Sequence, residues 1–297
     1  MNINGHSIKE WVLATRPWSF PASAMPVIVT IAWSFFKYGN INIWLGLYAL
    51  LTIVVVHASG NLWSDYFDFK KGVDTEDTFG SKILTSGQFK PNEVKSYSLL
   101  LLTVALLLGI GLVLLTGLPL LLIGLAGILL SLCYPLMKFH ALGDLLIATC
   151  YGFLPTIGTT FVLTGAIHWN VLWIALPVCL VTMAILHVNN VRDIETDRDA
   201  GITTFPMLTG RKFGASLYYF EILFPYIWIL LICVMGEISW WSLLTFISLP
   251  VGLKNVKSMM GYKGGIDSYK YLDEKTAQLQ LMFSVLLSIG LVLGKLL

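Results

Sequence analysis

The chain has 297 residues, 56% of them hydrophobic and 12% charged, with a formal net charge of +2 and a mean hydropathy of +0.77. Soluble domains carry about 25% charged residues, so this composition excludes a water-soluble globule and points to a chain whose solvent is mostly lipid. No nucleic-acid partner is expected.

Taken in chain order, apolar runs between charged punctuation mark nine spans near the roughly 20 residues that a bilayer crossing needs: 17–36, 43–64, 96–116, 118–137, 142–164, 169–191, 215–235, 239–254 and 277–296. The eighth is the shortest. Pro21, Pro26, Pro155 and Pro177 fall inside spans, where packed membrane helices accept them. The expectation is an all-α polytopic membrane protein of nine transmembrane helices, forming a single domain over residues 1–297.

Lys and Arg fall almost entirely in alternate connections. Lys9, Arg16, Lys70, Lys71, Lys82, Lys90, Lys95, Lys138, Arg192, Arg198, Arg211, Lys212, Lys254, Lys257, Lys263, Lys270 and Lys275 share one side, seventeen of the nineteen basic residues, while Lys37 and Lys295 fall on the other. Positive charge marks the cytoplasmic side, so the amino terminus is expected in the cytoplasm of a bacterial inner membrane. The first fifteen residues lack a continuous apolar core, and the first span is expected to remain as a helix rather than to be cleaved as a signal peptide. Cys133, Cys150, Cys179 and Cys233 stand singly in apolar runs and read as buried thiols. The five histidines show no paired spacing for a metal site.

Half of the acidic residues lie in two short stretches at the ends of the second and sixth spans: Asp65, Asp68, Asp74, Glu76 and Asp77, then Asp193, Glu195, Asp197 and Asp199. Asn61 precedes Asp65 by four residues, as Asn189 precedes Asp193. Residues three and four apart share a helix face, so continued helices would carry two stripes, Asn61–Asp65–Asp68 and Asn189–Asp193–Asp197. Gly72 is expected to end the first helix, leaving Asp74 on a loop that folds back. Several carboxylates at one membrane boundary repel unless a positive charge sits among them. A hard cation such as Mg2+, which takes few carboxylates and completes its shell with water and phosphate oxygens, suits the pattern. Basic neighbours Lys70, Lys71, Lys82, Arg192 and Arg198 then suggest a metal-bound diphosphate.

These two stretches, Asn61-Leu-Trp-Ser-Asp65-Tyr-Phe-Asp68 running on to Lys70-Lys-Gly-Val-Asp74 and Asn189-Asn-Val-Arg-Asp193-Ile-Glu-Thr-Asp197, resemble the paired aspartate-rich signatures of UbiA-type intramembrane prenyltransferases. Arg16-Pro-Trp-Ser-Phe-Pro-Ala-Ser23, Thr85-Ser-Gly87 and Gly210-Arg211 add to the likeness, which covers most of the chain and leans to the branch acting on 1,4-dihydroxy-2-naphthoate in menaquinone synthesis. The resemblance implies nine helices around a central cavity capped by the two acidic loops. It implies that Asp65, Asp68, Asp193 and Asp197 hold Mg2+ for catalysis, that Asn61, Asn189, Asp74, Arg16, Lys82, Arg192 and Arg198 bind the diphosphate, and that Tyr134 shields an allyl cation. The sequence departs from the family pattern at Ser64 and at Gly201-Ile-Thr-Thr204.

The implied reaction moves a polyprenyl group from polyprenyl diphosphate to an aromatic acceptor, giving demethylmenaquinone where the acceptor is the naphthoate, with membrane lipid around the tail. Other aromatic acceptors such as 4-hydroxybenzoate remain alternatives. An ion-coupled transporter is the rival from another class, but its acids should sit near the bilayer midplane, whereas here they cluster at one boundary. Gly109, Gly111, Gly124 and Gly127 are expected to let helices approach or part.

Overall fold

Proline and glycine set the helix ends in the computed structural model, which describes residues 2–3 and 5–297. A short antiparallel pairing of β1 (Asn2–Ile3) with β2 (His6–Ser7) leads into α1 (Ile8–Ala14). There Ser7 and Glu10 cap the helix reciprocally. A 3-10 turn, Pro17–Ser19, opens α2 (Pro21–Tyr38), followed by α3 (Ile43–Lys71), α4 (Pro91–Thr116) and α5 (Pro119–Lys138). Helices α2, α4 and α5 each begin on proline, whose missing N–H is one the first turn leaves unpaired anyway. Next, α6 (Gly143–Ile147) passes through a π-helical stretch into α7 (Leu154–Thr164), and α8 (Leu172–Arg192) leads to the short α9 (Ile194–Asp199) and α10 (Phe205–Thr209). The chain finishes with α11 (Arg211–Val234), a 3-10 stretch Trp240–Ser248 continuing as α12 (Leu249–Met260), and α13 (Leu272–Leu296).

Among the described residues eight helices are long and apolar enough to cross a membrane. The expected eighth span is the exception. It forms as one continuous helical run from Trp240 to Met260, but it opens in 3-10 geometry and carries Lys254 and Lys257 in its second half, so it lacks the composition of the others. Apart from the short β1–β2 pair, the helical bundle otherwise matches the expectation. Its apolar periphery is wide: Leu100, Leu107, Leu114, Leu122 and Leu129 on α4 and α5 are exposed, a face that lipid rather than water would cover. Cys179 and Cys233 are buried as expected, but Cys133 is exposed because it lies on the outer side of α5.

Helix α13 packs on α2, α8 and the 240–248 stretch. Trp33, Val178, Ile229, Phe283 and Leu287 fill the core there. A second cluster, with Val188, Val191, Tyr218, Ile222 and Met259, joins α8 to α11 and α12. On its other side the bundle leaves an apolar cavity of about 150 Å³ between α2, α3, α4, α5 and α7, walled by residues such as Val27, Val56, Ile123 and Leu154. Gly109, Gly124 and Gly127 line it, and at Gly109 and Gly124 a Cβ would meet no atom within 4 Å. Gly111 behaves differently: the Tyr48 hydroxyl occupies the place of its missing side chain. Ser131 and Tyr151 form the polar end of this cavity.

At Gly290 the backbone of α13 meets that of the 240–248 stretch, and a Cβ there would stand 2.7 Å from the Ser242 Cα. Small residues permit such approaches between membrane helices. Gly290→Val should therefore overpack the crossing and cost about 1–3 kcal/mol, seen as a lower melting temperature in detergent; unchanged melting would contradict the backbone contact.

Candidate active site at one end of the bundle

The first acid row is carried by the last two turns of α3. The helix runs on to Lys71 and stops at Gly72, whose left-handed φ of 78° lets its N–H reach the Asp68 and Phe69 carbonyls. The N–H groups of Val73 and Asp74 also turn back to the Asp68 carbonyl, at 2.9 and 3.4 Å, which brings Asp74 towards the row as expected. Asp65 and Asp68 are only 2% and 5% exposed.

Each buried acid has one basic partner. Arg16 sits between α1 and the Pro17–Ser19 turn with φ of 56°, a left-handed conformation costly for a residue with a side chain and common where a site dictates geometry. Its guanidinium pairs with Asp65 Oδ1 and donates to the Asn61 carbonyl at 3.3 Å. Asp68 Oδ2 accepts from Lys138 Nζ at 2.9 Å and from Ser64 Oγ at 3.1 Å. Ser64 thus orients the second acid. Asn61 spends its amide protons on the Thr15 carbonyl (2.8 Å) and Ser19 Oγ (2.9 Å), so oxygen is what it has left to offer.

The second row spans the end of α8 and α9. Asp193 breaks helical geometry, yet its N–H still bonds the Asn189 carbonyl and the Asp197 N–H still bonds the Asp193 carbonyl, both at 2.8 Å. Asn189, Asp193 and Asp197 therefore keep their four-residue spacing along nearly continuous helix. Asp197 is buried and lies within electrostatic reach of Lys138, Asp193 and Asp68. The corner after α5 is stapled to the second loop: Ala141 donates to the Thr203 carbonyl (2.8 Å) and Thr203 to the Phe139 carbonyl (3.0 Å). Lys138, at this corner, pairs with Asp68 of one row and lies within electrostatic reach of Asp197 of the other, which places the two rows at the same end of the bundle.

Lys138 was not among the residues singled out by sequence. Its only signal was being the sole basic residue of the connection after α5, one turn beyond Tyr134, whose ring shares the electrostatic neighbourhood of Lys138, Asp68 and Arg16. Three expected contacts go elsewhere. Lys82 donates to the carbonyls of Thr75 (2.8 Å), Glu76 (3.0 Å) and Thr78 and so closes its own loop. Arg198 is exposed on α9. Arg192 grips Asp193 through two bonds of 2.7 and 2.8 Å, reaches Asp273 at 3.3 Å and covers the ring of Phe79. Asp193 is thus engaged by its own neighbour.

What is left unpaired is informative. Asp65 Oδ2, Asp68 Oδ1 and Asn189 Oδ1 are buried without a hydrogen-bond partner, a costly condition unless a ligand satisfies them. An oxygen-only set of this kind fits a hard divalent cation. Among the described residues no three His, Cys, Asp or Glu side chains close into a ready metal cage; the acids instead lean on Arg16, Lys138 and Arg192. Outside the spans, burial and then the charges of Asp68 and Asp65 push the Asp74 carboxyl up to about 7. Burial does the same for Asp197, to about 7, against the opposing pull of Lys138.

The first row also meets the apolar cavity. His57, one turn below Asn61, packs on the Tyr151 ring with centroids 4.6 Å apart, and a Cβ on Gly60 would lie 3.2 Å from Ser131 Oγ. A polar head site and an apolar pocket are contiguous.

Residues 23–262 match the UbiA prenyltransferase family. The chain is 31% identical to UbiA prenyltransferase domain-containing protein 1 of Xenopus tropicalis, over 96% of this chain and 82% of that protein. It is 30% identical to the 1,4-dihydroxy-2-naphthoate octaprenyltransferase of Bacillus subtilis, over 96% and 92%. The fold is similar to that of a UbiA homologue of Archaeoglobus fulgidus solved with GPP and Mg2+ (TM-score 0.60, 14% identity, 94% of this chain and 99% of that one). It is also similar to an apo UbiA homologue of Aeropyrum pernix (TM-score 0.65, 14% identity, 97% and 98%). With its two acid rows and its bundle of apolar helices, the chain belongs to the UbiA prenyltransferase family and is an integral membrane prenyltransferase.

Proposed function

We propose that the protein transfers a polyprenyl chain from its diphosphate to 1,4-dihydroxy-2-naphthoate, with Mg2+ bound between the acid rows. The observation that carries this reading is the set of unpaired buried oxygens on Asp65, Asp68 and Asn189 directly beside an apolar cavity. Asp65, Asp68 and Asp197 would hold the cation, and Asp193 would join them on releasing Arg192, which now binds both of its oxygens, with Asn61, Asn189 and Asp74 beside them; once bound, the cation supplies positive charge to the leaving diphosphate. The naphthoate acceptor is supported by the Bacillus subtilis relative, whose name carries that activity, and by the resemblance that Lys70-Lys-Gly-Val-Asp74 and Asn189-Asn-Val-Arg-Asp193 bear to that branch. Membership of the prenyltransferase family favours this chemistry over an ion-coupled transporter.

The chain's own residues divide the work. The diphosphate head enters among Arg16 and Lys138, whose fixed charges stabilise the electron pair it takes from the broken allylic carbon–oxygen bond. Lys82 in its loop, Arg192 at the end of α8 and Arg198 on α9 would join only on leaving the positions they now hold. The allyl fragment, positive as that bond breaks, stays in the apolar cavity, out of reach of water. Tyr134 and Tyr151 offer it ring faces whose negative quadrupole attracts a cation. The electron-rich acceptor ring supplies the electrons of the new carbon–carbon bond, and its carboxylate leaves as carbon dioxide. The acidic end would face the cytoplasm of a bacterial inner membrane, consistent with the basic residues gathered there, and the whole of residues 1–297 would act as one domain.

Purified protein in lipid nanodiscs, given a polyprenyl diphosphate, Mg2+ and either 1,4-dihydroxy-2-naphthoate or 4-hydroxybenzoate, should yield the prenylated naphthalene by mass spectrometry and little from the benzoate. Asp65→Ala and Asp193→Ala should each reduce the rate by about 10²–10³-fold without loss of membrane insertion. Full turnover by both variants would defeat the assignment of the acids.

Filling the cavity tests the tail site. Gly124→Phe, placed where a Cβ has free space, should raise KM for long polyprenyl diphosphates far more than for short ones; equal effects on both would remove the cavity from the tail's path.

The raised carboxyls of Asp74 and Asp197 give a pH signature. Because each binds its proton up to about 7 in the folded state, against a reference of 3.8, the ligand-free fold loses stability as pH rises through that window. A cation takes the ionised forms, so its binding should tighten over the same window and level off above it. The Mg2+ concentration that half-saturates the thermal shift seen with inorganic pyrophosphate should fall between about pH 5.5 and 7.5, and less so in Asp74→Asn. A midpoint independent of pH would contradict the placement of these acids.

A further inference from the structure

A second group of buried titratable side chains lies just inside the acid rows. Asp144, the second residue of α6, directly follows the corner that carries Lys138. Its Oδ1 accepts from Asn190 Nδ2 at 2.9 Å, and its Oδ2 stands 3.3 Å from His187 Nδ1. His187 is fully buried in α8. Its Nε2 faces the Gly214 carbonyl at 2.9 Å, and since a carbonyl only accepts, Nε2 carries a proton. Its Nδ1 faces Asp144 and, at 4.0 Å, Glu221 Oε1. Through these two contacts the ring ties α8 to α6 on one side and to α11 on the other.

This group joins two things that must stay in register. On one side of the corner Lys138 holds Asp68 of the first row; on the other the Thr203 staple holds the loop after Asp197. The last turn of α8 has no such backbone staple to the corner, and its side-chain link is Asp144. Neighbouring residues on a helix point about 100° apart, so fixing Asn190 against Asp144 also fixes the direction of Asn189, whose unpaired oxygen belongs to the site. We infer that Asp144, His187 and Asn190 are positioning residues: they hold the second acid row in register with Lys138 and act through Asn189, Asp193 and Asp197 without touching substrate. The inference rests on the reading that the rows grip a cation and a diphosphate. Groups that orient metal-holding side chains, when removed, lower metal affinity by about 10–100-fold.

The test is the melting temperature of the full chain in nanodiscs, titrated with Mg2+ at fixed inorganic pyrophosphate, a readout that needs no turnover. Asp144→Asn should need about 10–100-fold more Mg2+ for half the thermal shift. Asn190→Ala, which keeps the Asp144–His187 pair, should need several-fold more, with the ligand-free melting temperature lowered only by the single buried bond it gives up. In both variants KM for the prenyl diphosphate should rise with the Mg2+ midpoint while kcat at saturation changes little, and Asp144→Glu should recover part of the loss. Glu221→Gln, which leaves both bonds to Asp144 in place, should titrate as the parent does. If Asp144→Asn fails to fold, Asn190→Ala decides alone. A parent that shows no shift with Mg2+ and pyrophosphate removes the site reading and this inference with it. A parent that shifts, beside an Asn190→Ala that titrates identically, overturns the inference and leaves the site reading standing. A Glu221→Gln midpoint displaced as far as that of Asp144→Asn also overturns it, because loss of charge rather than loss of register would then be the cause.

Discussion

Carboxylates gathered at a membrane boundary cannot stay ionised without positive charge among them, and the architecture of this end of the bundle follows from that constraint. Asp65 pairs with Arg16, Asp68 with Lys138, and Asp193 with Arg192, which also reaches Asp273. The pairing is deliberately incomplete on the first row, where one oxygen of each acid stays buried and bare. A base that neutralised both oxygens would leave nothing for a ligand; no base at all would drive the acids apart or into their protonated forms. A half-satisfied row is stable enough to fold and still open to a cation.

The elements that supply these groups come from far apart in the chain, and each is placed by ordinary local rules. Gly72 ends α3 so that Asp74 returns to its row. The left-handed Arg16 turns the chain before α2. The corner between α5 and α6 carries Lys138 outward to Asp68 and Asp144 inward to Asn190 and His187. That corner is the hinge of the arrangement, because it touches both rows. Behind it the cavity closes with Ser131 and Tyr151, so the change from polar head site to apolar pocket happens within about one helical turn, a suitable boundary for a substrate with a charged head and a long apolar tail.

Much of this was legible in the sequence. Four-residue spacing from Asn61 to Asp65 and from Asn189 to Asp193 announced helix-borne stripes, and asymmetry of Lys and Arg announced their common side. What stayed hidden depends on tertiary contacts that no periodicity records. Lys138 is a single basic residue in a short connection and gains meaning only when α5 ends against α3. Arg192 was expected to face the diphosphate, but an acid one residue away and another on α13 capture it first. Lys82 was expected there too, yet three carbonyls of its own loop satisfy it. The eighth span was expected to end at 254, where Lys254 closes its apolar run, although the helix continues to Met260, as long basic side chains at a membrane boundary allow.

A structure determined with Mn2+, whose anomalous scattering marks its position, and a non-reactive prenyl thiodiphosphate would be the most direct measurement. Metal density lying between Asp65 and Asp68 on one side and the Asn189–Asp197 stretch on the other, with the diphosphate between Arg16 and Lys138 and the tail in the cavity lined by Gly124, is the predicted result. Metal held by one row alone, or a tail lying outside that cavity, would contradict it.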